Sequence, residues 1–155
     1  MPTRRLGDNL RSMHIRDVLQ SKGSDVETIT PDASVRELVD RLAQHNVGAL
    51  VVSEDGETAT GIVSERDVVR RLRDGDNLLE AAVSSIMTTD IHVCDPDDSL
   101  ERLMQVMTEH RIRHVPVVRN GKLAGIVSIG DAVKQRMRQL EFERDQLDRY
   151  VTGTQ

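Results

Sequence analysis

The sequence predicts a mixed α/β (α+β) fold: two copies of a β-α-β-β-α unit packed as a pseudo-two-fold module, with a helical extension at the C-terminus. Three observations carry this. Residues 30–52 match residues 95–117, with Pro31/Pro96, Ser34/Ser99, Leu38/Leu103 and His45/His110 each 65 positions apart. The heptapeptide GIVSERD at 61–67 returns as GIVSIGD at 125–131, now 64 positions apart. Within each copy, the apolar spacing switches from the helical period to the strand period.

Each copy opens with a short β-rich piece, VETIT (26–30) and IHVCD (91–95). Thr30 and Asp95 then read as helix N-caps, with Pro31 and Pro96 following where a missing N–H costs nothing. Asp32 and Asp97 sit favourably near the positive end of each helix. Val35, Leu38, Val39 and Leu42 mark one buried face, and Leu100, Leu103, Met104 and Met107 mark its counterpart. Strands 49–52 and 59–63 form a hairpin around the turn EDGE; strands 114–118 and 122–127 form another around RNGK. The drop in offset makes the second hairpin one residue shorter. A last helix begins near Ser64 or Ser128.

The division is an N-terminal segment 1–12, a first repeat 13–73, a linker 74–83 opening on polar and small residues, a second repeat 84–138 and an extension 139–155. A unit of about 60 residues buries little surface alone, so the copies are expected to pack together. In the extension, Val133, Met137, Leu140, Leu147 and Val151 follow a 4-3 spacing interrupted by Arg144. Core packing explains the first half of that seam and a dimer contact the second.

Composition narrows the function. The 155 residues include one Phe, one Tyr and no Trp, so base-stacking platforms are excluded. A net charge of -5 argues against sequence-independent nucleic-acid binding. Yet 18 of the 21 basic residues are Arg, suited to phosphate or carboxylate at a local site. Cys94 is the sole cysteine, which rules out a disulfide within the chain and suggests a reducing compartment. MPTRRLGDNL lacks an apolar signal region and no run approaches 18 apolar residues, so no membrane association and a cytoplasmic location are expected.

The Ser-x-x-Asp tetrads, Ser64 to Asp67 and Ser128 to Asp131, have a purely structural reading as capping boxes. The same geometry has a functional reading. A helix N-terminus suits a phosphate, the Ser hydroxyl can donate to it, and the Asp can accept from two ribose hydroxyls. Arg66 adds charge in the first copy, where the second has Gly130. Ile62 and Ile126 could wall an apolar slot. His110 and His114, four apart, lack a third ligand and should diverge where a helix ends and a strand begins, so no metal site is expected. Cys94 reads as a buried structural thiol, and no catalytic motif is present.

The repeat, the two signatures and the segment HRIRHVPVV resemble a tandem pair of CBS domains, a Bateman module, over roughly residues 13–138. That resemblance implies a stand-alone, non-catalytic regulatory module, usually a disc-shaped homodimer. Its clefts would bind an adenosine-containing ligand (AMP, ADP, ATP, NAD(H) or S-adenosylmethionine) and signal by conformational change to an effector protein. The alternative is an adaptor homodimer without ligand. By the resemblance Asp67 and Asp131 hold ribose hydroxyls, with Ser64 and Ser128 beside them. Thr28, Ile29 and Val93 wall the base, and Ala49, Leu50, His114, Val115 and Pro116 lie at the start of the second strands. The Asp131 cleft is favoured because Arg111, Arg113 and His114 lie near its strand, and Lys22 is expected to reach a phosphate there.

Overall fold

In a computed structural model, residues 13–153 are described. The segment expected over 1–12 lies outside them. The chain runs α1 (Ile15–Lys22), β1 (Thr28–Ile29), α2 (Val35–His45), β2 (Ala49–Val52), β3 (Gly61–Ser64) and α3 (Glu65–Arg71). Three short 3-10 turns cross residues 72–85 before α4 (Leu100–His110), β4 (His114–Arg119), β5 (Lys122–Ser128) and α5 (Ile129–Thr152). Among the described residues, no helix is long and apolar enough to cross a membrane.

Helices α2 and α4 start one turn later than the prolines suggest. Ala33 N donates to Thr30 O and Asp98 N to Asp95 O, so Pro31 and Pro96 occupy the second position of a turn. The true N-caps are Ser34 and Ser99, whose hydroxyls accept from Glu37 N and Arg102 N. The buried faces are Val35, Leu38 and Leu42 on α2, and Leu100, Leu103 and Met107 on α4, while Val39 is exposed. Both helices end on a left-handed residue, Asn46 at φ 52° and Arg111 at φ 54°.

In the first half, β1 runs parallel to β2, and β2 antiparallel to β3, with Leu50 opposite Val63. Its hairpin loop is organised by Asp55, whose carboxylate accepts from Glu57 N and Thr58 N and is held down to a pKa of about 2 by those bonds. In the second half β4 and β5 pair antiparallel, His114 opposite Ser128, around Asn120 and Gly121, both at positive φ. Such a two-residue turn suits the strand twist. The strand expected over 91–95 shrinks to a single parallel bridge, Cys94 with Val117, and Val93 lies exposed.

Each half is completed by the segment that precedes the other. Helix α1 packs Ile15, Val18 and Leu19 into the second half's core, with Leu100, Leu103, Met107, Val115, Val117 and Val127. The segment that leads into the second repeat packs Val83 and Ile86 into the first core, with Ile29, Val35, Leu38, Leu50 and Val63. The docking bonds correspond: Ile15 N to Asp98 O, Arg16 N to Pro96 O and Leu100 N to Met13 O on one side. Val83 N to Ala33 O, Ser84 N to Pro31 O and Val35 N to Ala81 O repeat them on the other.

This exchange explains the glycine that opens each signature. A Cβ on Gly61 would lie 2.9 Å from Thr88 O, and one on Gly125 would lie 2.5 Å from a Leu19 methyl. The glycines make room for the exchanged segments. A Gly61→Ala variant is expected to lose about 1–3 kcal/mol, because the contact is backbone carbonyl that cannot swing away. Urea unfolding measures this, and an unchanged midpoint would remove the close approach as the reason for glycine.

Helix α5 buries Ala132 and Gln139. The expectation that core packing covers the first half of the 4-3 seam is corrected: Val133 and Met137 are exposed along with Leu140, Leu147 and Val151. The buried stripe runs one position away, through Ala132.

Candidate functional site: a cleft between the repeats

Both tetrads are complete capping boxes. Asp67 Oδ2 accepts from Ser64 N at 2.8 Å and from Ser64 Oγ at 3.0 Å, while Asp67 N donates back to Ser64 Oγ. Asp131 Oδ2 accepts from Ser128 N at 2.9 Å, and Asp131 N donates to Ser128 Oγ at 3.1 Å. The structural reading of the motif therefore holds in both copies. It engages one carboxylate oxygen of each Asp, and Oδ1 is free of such bonds among the described residues.

Beside Asp67 opens a cleft of about 190 Å³ whose walls come from both halves. The first half supplies Ala49 and Ile62 from the sheet, and Ser64, Glu65, Arg66, Asp67 and Arg70 from α3 and its cap. The second supplies Ile91 and His92, then Arg111, Ile112, Arg113 and His114 from the turn between α4 and β4. The side chains of Arg66, Arg70, Arg111 and Arg113 make no hydrogen bond or ion pair among the described residues. Four uncommitted guanidiniums stand here against the carboxylates of Glu65, Asp67 and Asp90, so this cleft of an acidic chain carries a local surplus of positive charge. Their charge has to do the work, because α3 is only seven residues long. Ile62, Ile91 and Ile112 add an apolar wall.

Arg111 reaches this cleft from a left-handed backbone, a conformation costing a non-glycine residue about 1–2 kcal/mol. His114 lies between the two signatures. Burial pushes its imidazole below the ordinary value of 6.5, with Asp131 and Glu65 pulling the other way and Lys22 and Arg113 adding to the depression. As pH falls below about 6.5, the unfolded chain takes up this proton before the folded one does. Stability should therefore decline from there down to the depressed folded value. Replacing His114 by Gln is expected to flatten that part of the pH profile, as read by urea midpoints between about pH 5 and 8. An unaltered slope would exclude His114 as its source.

The second cleft, at Asp131, is smaller, about 60 Å³, and lined by Val18, Ser21, Lys22, Asp131, Lys134, Gln135 and Arg138. Lys22 Nζ donates to Asp131 Oδ2 and to Ile126 O, both at 2.6 Å. Burial would raise the Asp131 pKa, but the Lys22 bond and the Ser128 N–H outweigh it and hold the carboxyl below its usual range.

The site residues expected from sequence thus separate. Ser64, Arg66, Asp67, Ile62, Ala49, Arg113 and His114 come together at the larger cleft. Arg111 and Arg113, expected with Asp131, line the Asp67 cleft instead, whereas His114 lines that cleft and also stands opposite Ser128, within electrostatic reach of Asp131. Ser128, Asp131, Lys22 and Ile126 form the second group. Ile29 and Val115 are core residues, 2% and 1% exposed. Thr28 O accepts from Arg41, Pro116 O from Cys94 N, and Val93 faces solvent; none of these lines either cleft. Arg70, Ile91, His92 and Ile112 were missed. For Arg70 the signal was its place one turn beyond Arg66.

Cys94 is buried, its thiol pushed up to about 12 by burial and donating to Pro116 O. No cluster of three or more metal-ligating side chains occurs among the described residues. His92 and His110 stack with ring centroids 4.5 Å apart, so His110 turns to His92 and not to His114.

Two repeats, exchanged leading segments and interfacial clefts define a tandem-repeat module of the regulatory kind. The CBS domain family model matches twice, at residues 15–74 and 83–138, and the chain belongs to this family. It is 36% identical over 161 residues to the mitochondrial CBS domain-containing protein CBSX3 of Arabidopsis thaliana, covering 98% of this chain and 78% of the relative. The crystal structure of the CBS-domain-containing protein ATU1752 from Agrobacterium tumefaciens matches with TM-score 0.76 and 44% identity, over 79% of this chain and 92% of that one. The CBS domain pair of protein MJ0100, solved with 5′-methylthioadenosine and S-adenosyl-L-methionine, matches with TM-score 0.71 over 79% and 98% of the two chains. At 22% identity that last likeness shows the fold alone.

Proposed function

We propose that this CBS-domain pair is a non-catalytic sensor of a phosphate-bearing adenosine ligand, AMP, ADP, ATP or NAD(H), held in the Asp67 cleft. One observation carries the reading: four unpaired arginines, an apolar wall and a carboxylate with a free oxygen converge on one opening between the repeats. Asp67 Oδ1 would accept from the ribose, the isoleucines would flank the base, and the arginines would take the phosphates. A sulfonium-bearing ligand such as S-adenosylmethionine, although MJ0100 carries it, brings a positive charge to four guanidiniums and is disfavoured here. No part of the proposal requires a metal or a catalytic cofactor.

Ligand contact with both α3 and the 111–114 turn would favour arrangements in which these surfaces stand close. A partner registers the change only through differential affinity of the ligand for the two arrangements. We assign the exposed seam of α5 to a homodimer contact, the effector to a separate protein, and the setting to the cytoplasm.

The test is thermal unfolding against AMP, ADP, ATP, NAD, NADH and S-adenosylmethionine, on protein freed of copurified nucleotide. Concentration-dependent stabilisation by the phosphate-bearing compounds is expected. No response to any of them would leave the complete capping boxes as the whole meaning of the motif and favour the adaptor homodimer.

A further inference from the structure

The two clefts are unequal for a reason visible in α1. Asp131 is the repeat counterpart of Asp67, yet its carboxylate already holds a cation. Lys22 Nζ bonds Asp131 Oδ2 and Ile126 O at 2.6 Å each, with both side chains roughly three-quarters buried. The remaining space is about 60 Å³, against about 190 Å³ at Asp67. A single water needs roughly 10–15 Å³ on this scale, so the Asp131 pocket accommodates a few waters and no nucleoside.

The exchanged segments show why Asp67 escapes the same fate. Met13 and Ile15 anchor α1 as Ala81 and Val83 anchor its counterpart, a constant difference of 68. Counted on at that offset, the sequence match of Lys22 is Asp90, which lines the larger cleft. An aspartate cannot neutralise Asp67.

We infer that Lys22 is the specificity-determining residue between the two clefts: it acts as an internal ligand of Asp131 and limits the chain to one nucleotide. This rests on the ligand reading of the Asp67 cleft. Removing the ammonium frees the carboxylate, opens the pocket and exposes Lys134 and Arg138, which line it, to an incoming phosphate. Lys22 is thereby a gate and not a phosphate contact.

The experiment is calorimetric titration of the full chain with ATP. The wild-type protein should take one ATP per chain, abolished by Asp67→Ala. Lys22→Met should take two, the additional one lost in the Lys22→Met/Asp131→Asn double variant, and Lys22→Arg should return to one. Circular dichroism melting confirms that each variant is folded before titration, and Lys22→Gln replaces Lys22→Met if the latter does not fold. Two sites in the wild type, or one in folded Lys22→Met or Lys22→Gln, overturns the gate while leaving the Asp67 reading intact. No ATP bound by any variant overturns both.

Discussion

Replacing Ile15 by Ala is expected to destabilise the protein by about 2–5 kcal/mol, and to do so in the half that is remote in sequence. Ile15 is 0% exposed and sits with Leu100, Leu103, Met107 and Val127, more than 80 residues further along the chain. Truncation removes three carbons from a closed core, and the loss is the transfer term plus that of the cavity left behind. Its backbone N–H to Asp98 O stays, so α1 remains docked at its start while its packing is gone. Hydrogen exchange resolves the prediction by position. Amides of β4, β5 and α4 should lose protection at low denaturant, with those of β2 and β3 following later. If the first half loses protection first, then Ile15 does not serve the second core.

That exchange of segments was invisible in the sequence, and the reason is physical. The spacing of Ile15, Val18 and Leu19 announces a helix with one apolar face, but periodicity says nothing about which of two similar cores the face meets. The two signatures, by contrast, were legible because caps and hairpins are local: Ser64 and Ser128 bond atoms three residues away. Even local reading failed where two local rules compete. Pro31 and Pro96 satisfy both a first helical position and the second position of a turn. The choice was made by Ser34 and Ser99, better caps for helices whose first buried residues are Val35 and Leu100.

The site was half legible for the same reason. Asp67, Ser64 and Arg66 are neighbours in the chain and stay so in space. Arg111 and Arg113 precede the strand that pairs with Ser128, so sequence proximity assigned them to Asp131. Their side of the turn faces α3 instead, where Arg66 and Arg70 also stand. The seam on α5 was correctly seen as apolar and wrongly split. Neither half of it is covered by the chain's own core, because Ala132 and Gln139 mark the stripe that is.

Asp67→Asn is expected to weaken nucleotide binding roughly 10- to 100-fold at small cost to the fold, and this separates recognition from capping. The amide oxygen can still accept from Ser64 N, so the capping box keeps its main bond. The amide nitrogen cannot accept from ribose, and the negative charge that strengthens such bonds is gone. Losing one charge-assisted hydrogen bond is worth about 1.5–3 kcal/mol, which converts to the stated range. Paired measurements of urea midpoint and ATP affinity on the same preparation decide it. A large affinity loss with an almost unmoved midpoint assigns Asp67 to the ligand. Parallel loss of both would make it a cap whose removal disorders the cleft, and unchanged affinity would take the ribose away from it altogether.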